Sequence, residues 1–446
     1  MKKNWFDKKV LILGFSRSGI SAAKYLNSKG ADCYITEIKP IEDKKSVEEV
    51  EALGIKVESG GHSDEFIKDS YLAVTSPGIP PKSEIFKKLE EQKIPVISEI
   101  ELAYTETQTP FFAITGTNGK TTTTSLASHI LSTEYKAPVC GNIGIPPTSL
   151  ISEKNDYLVC EVSSFQLQFS PTFCPQIYAF LNFTPDHIDW HEGLDNYFKA
   201  KIRPLTHKPA FAIFNGTDKK LVEYAENYSG EKFFFGKEMS PNCSYIKDGA
   251  IYFKRNNKEE KIIDLKDVPI VGEHNYQNVM AALIGAKIVG ISNENIYNAI
   301  KSFKTVEHRL EYTAEFNGKK FYNDSKGTNP EATIVAIRSF EGKSVTLIAG
   351  GRDKNTDLTE FCQDVKKYIN TVILIGEATQ RFEQELNKNG FNDIIKEASM
   401  ESAIDRAIEL NNEIVLLSPA CASFDMFKSY EHRGEVFKEY VLSKIK

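Results

Sequence analysis

Apolar runs long enough to cross a bilayer are missing from this 446-residue chain. Stretches such as Val10-Leu-Ile-Leu13 and Ile414-Val-Leu-Leu417 have the length of buried strands, far short of the ~20 residues a spanning helix needs. A basic surplus is missing too. Against 61 aspartates and glutamates stand 55 lysines and arginines, a net charge of −6 that excludes a protein built to neutralise nucleic-acid phosphates. Seven cysteines, an odd number, are scattered without CxxC spacing, several in strand-like surroundings. Buried free thiols are expected, rather than a disulfide framework or a zinc site. Met1 to Lys9 lacks the apolar core and small-residue cleavage site of a secretory signal, so a reducing, cytoplasmic setting is expected. Internal repeats, heptads and low-complexity stretches are absent as well.

What is present alternates strands with helices, and at this length about three domains of ordinary size are expected. Residues 1–98 read as a Rossmann-like unit: Val10 to Leu13 ends at Gly14, Ser18 to Lys29 carries helical spacing, and Asp32 to Thr36 and Leu72 to Thr75 follow as strands. The turn Gly14-Phe-Ser-Arg-Ser-Gly19 has Ser16 where a dinucleotide fingerprint has its middle glycine. A redox dinucleotide is therefore disfavoured, and a single nucleotide diphosphate on the helix N-terminus is the better reading. Glu37 ends the second strand, placed either to meet a ribose or base or to stand solvated.

Residues 99–305 open on the most informative stretch, Phe111-Phe-Ala-Ile-Thr-Gly-Thr-Asn-Gly-Lys-Thr-Thr-Thr-Thr124. An apolar strand enters a glycine-rich turn, and Lys120 with a run of threonines opens a helix. Backbone N–H groups around Gly116 to Gly119 and at the helix start can cradle phosphate, Lys120 adds a positive charge, and the Thr121 hydroxyl can reach a magnesium ion. Glu161 ends the strand Asp156 to Glu161 and is the natural oxygen ligand for that magnesium. His187, with Asp186 and Asp189 beside it, is a candidate for metal or substrate. Lys201 and Arg203 read as one polar face of a helix. Asn275 and Asn278 share a helix face, able either to read an adenine edge or to cap. The interval 216–270 reads only as a decorated edge.

Residues 306–446 form a further βαβ series with strands at Val345 to Ala349, Thr371 to Ile375 and Glu413 to Leu417. These end in Gly350-Gly-Arg-Asp-Lys354, Gly376-Glu377 and Ser418-Pro-Ala-Cys-Ala-Ser423. Strand ends of this kind face the ligand crevice in open α/β sheets. Arg309 and Asp324 can hold a phosphate and a ribose; Lys326, Thr328 and Lys354 can meet an anion; Ser423 can bind a carboxylate.

Taken together, Gly116–Thr122, Gly141-Asn-Ile-Gly144, Glu161-Val-Ser-Ser-Phe-Gln166, Gly272-Glu-His-Asn-Tyr-Gln-Asn278, His308-Arg309, Asn323-Asp-Ser-Lys326 and Ser418–Asp425 resemble the muramyl (Mur) ligases of peptidoglycan synthesis, in family order along the whole chain. The C-terminal run through Gly434 is most similar to the D-glutamate-adding branch. The resemblance implies a three-domain α/β fold: a Rossmann-like UDP-binding domain (1–98), a P-loop ATPase-like domain (99–305) and a Rossmann-like amino-acid domain (306–446). It implies ATP-dependent joining of D-glutamate to UDP-MurNAc-L-alanine through an acyl phosphate, by a monomer without membrane or nucleic-acid partners. Gly116, Thr117, Asn118, Gly119, Lys120, Thr121 and Thr122 would hold ATP phosphates, with Asn275, Asn278, Arg309 and Asp324 on adenosine and phosphates. Two Mg2+ sites would draw on Thr121, Glu161, His187 and Lys201, the last as a carbamate. Ser16, Arg17, Ser18, Gly19, Glu37, Lys39, Ser76 and Gly78 would take the UDP group, and Asn142, Ser163, Gln166 and His187 the muramyl part. Lys326, Thr328, Lys354, Ser423, Phe424 and Tyr430 would bind D-glutamate.

Overall fold

The computed structural model describes residues 4–186, 188–270, 272–304, 307–353 and 356–445. The chain divides into two compact units, residues 1–268 with 277–302, and residues 269–276 with 303–446.

The first unit carries two sheets. The smaller has five parallel strands in the order Lys56–Ser59, Asp32–Glu37, Lys9–Leu13, Leu72–Thr75 and Val96–Ser98. After Lys9–Leu13 the chain turns at Ser16, whose extended backbone (φ −116°, ψ 169°) and hydroxyl, accepting from Gly19 N at 3.2 Å, cap the helix Arg17–Ser28. The larger sheet has nine strands. Third from one edge is Phe111–Thr115, flanked by Leu158–Glu161 and Ile177–Phe180, all three parallel and wholly buried. Helices cover both faces of such a sheet, which explains the continuous apolar runs in place of alternation. Each large side chain removed from water there contributes roughly 1.5–3 kcal/mol.

Two sequence expectations shift here. The apolar run Tyr178-Ala-Phe-Leu-Asn-Phe183 reads as one buried strand, but the strand stops at Phe180. Beyond it Leu181 N still donates to Thr115 O, but Asn182 and Thr184 turn to bond the phosphate loop and leave the ladder. The interval 216–270 is an antiparallel flap, Cys243–Lys247, Ala250–Arg255 and Lys258–Asp264, joined to the parallel strands through Lys232–Phe235.

The second unit has six strands in the order Glu311–Phe316, Lys319–Asn323, Ile414–Leu417, Val345–Gly350, Thr371–Ile375 and Ile394–Lys396. The first pair is antiparallel and the rest parallel. The order reverses between Ile414–Leu417 and Val345–Gly350, the switch point where open sheets take ligands. Among the described residues no helix is long and apolar enough to cross a membrane.

Candidate active site

The phosphate loop is built by a left-handed glycine. Gly119 (φ +83°) caps the helix Lys120–Leu131, and a Cβ there would overlap the Asn278 side-chain oxygen. That oxygen accepts from Thr123 Oγ1 at 3.1 Å, which ties the helix Glu273–Ile288 to the loop. Lys120 lies over the turn, donating to Gly116 O (2.9 Å) and Thr117 O (2.8 Å). Two N–H groups expected in the cradle are spent inside the protein. Thr117 N donates to Asn182 O at 3.0 Å and Asn118 N to Asn182 Oδ1 at 2.8 Å. The helix Lys120–Leu131 opens directly on this turn, and the N-terminal end of a helix favours an anion.

Glu161 sits one strand away, in register with Ile114, and is 2% exposed. Asn142 Nδ2 donates to its Oε1 at 2.8 Å, while Oε2 is buried without a hydrogen-bond partner among the described residues. A buried carboxylate oxygen left bare is costly unless a cation meets it, so the donor set fits a hard divalent ion, with the Thr121 hydroxyl as a second oxygen. Lys201, on the helix Leu194–Thr206, is not on a solvated face: it is 1% exposed. Its Nζ donates to Gly116 O (2.8 Å) and Thr115 Oγ1 (3.2 Å) and lies 4.9 Å from the Tyr197 ring centre. Burial, with Lys120 nearby, holds its pKa well below the ordinary lysine value; Asp186 and Glu161 oppose that shift without reversing it. His187 and Lys354 lie outside the described residues. His191 is packed, bonding Ser164 Oγ at 2.9 Å and stacking on Phe165.

A cavity of about 1400 Å³ lies along the carboxyl ends of the smaller sheet and reaches the larger. Ser16, Arg17, Ser18, Glu37, Lys39, Ser76 and Gly78 line it, together with Asn142 and Gln166. Gly19 and Ser163 stand behind the lining, Gly19 through its bond to Ser16 and Ser163 through a reciprocal cap with Gln166. Glu37 is tied to the turn, its Oε2 accepting from Phe15 N at 3.0 Å, and Ser16 and Ser76 hydroxyls meet at 2.7 Å.

In the second unit Asp324 is buried between Leu310 N (3.2 Å) and Ser418 Oγ (2.7 Å), and burial pushes its carboxyl up to about 6. Arg309 Nε is buried without a hydrogen-bond partner among the described residues. Asn275 is buried at the start of its helix. Lys326 Nζ lies 5.7 Å from the Tyr430 ring centre, Thr328 N donates to Lys326 O at 2.9 Å, Ser423 is buried, and Phe424 is 65% exposed. One residue behind these loops escaped the sequence reading. Arg433, 1% exposed, donates to Ser325 Oγ (2.9 Å), Ser325 O (2.8 Å), Cys421 O (3.1 Å) and Ala422 O (3.3 Å). It sits in the quoted run Glu431-His-Arg-Gly434, but an arginine on a C-terminal helix carries no local sign of burial.

The strand, turn and helix around Gly116–Thr122, the buried Glu161 one strand away and the cavity in the same unit have the layout of a nucleotide-using enzyme, and three family descriptions match in chain order. They are the N-terminal domain of MurD-like Mur ligases over residues 8–98, the Mur ligase middle domain over 114–286, and the Mur ligase glutamate ligase domain over 308–421. The chain belongs to the Mur ligase family and has its three-domain α/β fold. It is 41% identical over 445 residues to the UDP-N-acetylmuramoylalanine–D-glutamate ligase of Thermoanaerobacter pseudethanolicus, covering 97% of this chain and 98% of that one. Among solved structures, UDP-N-acetylmuramate–alanine ligase MurC of Thermotoga maritima superposes with a TM-score of 0.61 at 18% identity, covering 98% of this chain and 99% of that one. The MurF ligase of the same organism, in complex with ADP, gives 0.60 at 16% identity over the whole of both chains.

Proposed function

We propose that this chain is an ATP-dependent ligase that joins D-glutamate to UDP-N-acetylmuramoyl-L-alanine in cytoplasmic peptidoglycan precursor synthesis, acting as a monomer. The name of the 41%-identical relative and the match along all three segments support the substrate pair. The single observation that carries the chemistry is the bare, buried Glu161 oxygen beside the Gly116–Thr122 loop. Direct condensation of an acid with an amine lacks a leaving group. One oxygen of the L-alanyl carboxylate attacks the γ-phosphorus of ATP, the bond to the bridging oxygen breaks, and ADP leaves. The amine of D-glutamate then attacks the acyl carbon of the acyl phosphate. The tetrahedral adduct collapses to the amide, inorganic phosphate leaves, and the amine gives up its proton.

Residues 1–98, 99–305 and 306–446 serve as the UDP, ATP and amino-acid domains. Lys120 and the N–H groups opening its helix hold and offset phosphate charge as it moves. Thr121 and Glu161 would hold a magnesium ion, with His187 and Lys201 at a second site, and the metal would supply further charge compensation. Lys201 would serve that site as a carbamate: its neutral amine adds to the carbon of CO2 and loses a proton, which leaves an anionic oxygen able to serve as a ligand. The low pKa supports this step, since only the unprotonated amine is a nucleophile. Ser16 to Gly19, Glu37, Lys39, Ser76 and Gly78 take the UDP group; Asn142, Ser163 and Gln166 line the muramyl part. Asn275, Asn278, Arg309 and Asp324 take adenosine and phosphates; Lys326, Thr328, Lys354, Ser423, Phe424 and Tyr430 take D-glutamate.

The test is phosphate release across an omission and replacement panel. Release is expected only with ATP, magnesium, UDP-MurNAc-L-alanine and D-glutamate together. Equal rates with L-glutamate, L-lysine or meso-diaminopimelate in place of D-glutamate would defeat the assignment.

A further inference from the structure

Asn182 makes three hydrogen bonds to the phosphate loop, and two of them come from its side chain. Asn118 N donates to Asn182 Oδ1 at 2.8 Å, and Asn182 Nδ2 donates back to Asn118 O at 3.0 Å. Its backbone carbonyl accepts from Thr117 N at 3.0 Å. The carboxamide thus grips both the N–H and the carbonyl of Asn118 as a neighbouring strand would, in a place where the sheet has already ended at Phe180. A second bond set anchors the same turn. Thr117 Oγ1 accepts from Thr184 N and donates to Thr184 O, both at 3.1 Å, and lies 3.2 Å from the Tyr197 hydroxyl. The loop packs closely here: a Cβ on Gly116 would come within 2.9 Å of Leu181 Cβ and 3.3 Å of Asn182 N.

From this geometry we infer that Asn182 is a positioning residue for ATP: its carboxamide fixes the Asn118 peptide so that the N–H groups after it, from Gly119 onward, point at the phosphates. The inference rests on the proposed use of ATP at this loop. Asn118 N and O are both held by the carboxamide, so Asn182 acts through the loop: it sets the path of the turn that leads into the helix Lys120–Leu131. Only an amide can do this, because the grip needs a donor and an acceptor on one planar group. Aspartate keeps the acceptor for Asn118 N but turns an anionic oxygen towards Asn118 O. Alanine removes both bonds and leaves two loop groups without partners.

The experiment measures KM for ATP, KM for UDP-MurNAc-L-alanine and kcat in the full-length enzyme and in Asn182→Ala and Asn182→Asp, with melting curves for each. Binding of a non-hydrolysable ATP analogue is titrated in parallel. The expected result is a rise of about ten-fold or more in ATP KM and in analogue Kd for both variants. The muramyl-nucleotide KM should stay within about two-fold, because its cavity does not include this loop. Should Asn182→Ala melt early, Asn182→Asp, close to isosteric, carries the test. Unchanged ATP KM and analogue Kd in both variants overturn the inference, as does an equal loss of affinity for both nucleotides. A wild-type enzyme that neither binds the analogue nor releases phosphate with its full substrate set would instead overturn the proposed function.

Discussion

Lys201 shows how a residue's chemistry follows from where its helix faces. On sequence it is one cation among several in Phe198-Lys-Ala-Lys-Ile-Arg203, yet its amine lies inside the protein against two loop oxygens and an aromatic ring, with a strongly lowered pKa. A neutral amine exchanges CO2 reversibly. Activity is therefore expected to fall in rigorously CO2-depleted buffer and to return on adding bicarbonate, whereas Lys201→Ala should be nearly inactive in both. Insensitivity of wild-type turnover to CO2 would remove the carbamate from the mechanism. Gly119 makes a harder steric statement. An alanine there meets both an unfavourable φ of +83° and the Asn278 oxygen. Gly119→Ala is expected to cost about 2 kcal/mol by denaturant titration and to weaken ATP binding. Wild-type behaviour in both would mean that the loop adopts another shape. The phosphate loop was legible from its short spacing and Glu161 from its place at the end of an apolar strand after that loop, whereas Lys39, Ser76, Gly78, Asn142 and Gln166 came from the family resemblance alone. Asn182 and Arg433 were not legible, since what matters is a contact across 64 or 108 positions, which spacing does not record.

At the scale of elements, strands with two buried faces announced themselves as apolar runs, and Leu72–Thr75 and Thr371–Ile375 lie where the runs place them. The flap did not, because its faces differ in burial and its charges hide the alternation. Its turns were the signal available. Asp248-Gly249 (φ 50° and 71°) and Asn256-Asn257 (φ 51° and 65°) are two-residue turns with both centres left-handed, as tight hairpins require. The helix Glu99–Glu106 is a different case, since it buries Glu99, Glu101 and Glu106. Glu99 accepts from Thr148 N (2.7 Å) and Thr148 Oγ1 (2.6 Å), and that hydroxyl also meets Ser21 Oγ on the helix that opens at the nucleotide turn. Burial raises the Glu99 carboxyl from 4.5 to about 7. The folded state therefore holds a proton that the unfolded chain gives up. This contribution to stability is complete below pH 4.5 and is lost as pH rises through about 7. Glu99→Gln keeps the acceptor without the charge. It should match wild type near pH 4 and exceed it by about 2–3 kcal/mol above pH 7 in denaturation experiments. A difference that does not change with pH would show that Glu99 ionises freely when folded.

For the whole molecule, a net charge of −6 works against substrates that are all anionic, so long-range attraction does not gather them. On the proposed reading, capture depends on local donors held at the carboxyl ends of three sheets, each serving a different ligand. Affinities for the three substrates should then be separable by mutation, and Arg433 gives the strictest test because it lies behind its loops. It is a buried guanidinium bonded to three backbone carbonyls and one hydroxyl, with burial lowering its pKa to about 10. Those bonds join the Asn323–Lys326 turn to Cys421 and Ala422, next to Ser423. Lysine keeps the charge but cannot span a planar fork of acceptors. Arg433→Lys is therefore expected to raise KM for D-glutamate by about ten-fold or more while KM for ATP and for the muramyl nucleotide moves by less than about two-fold. If instead all three constants rose together, the arginine would be holding the fold as a whole, and the division of binding among three sheets would have to be given up.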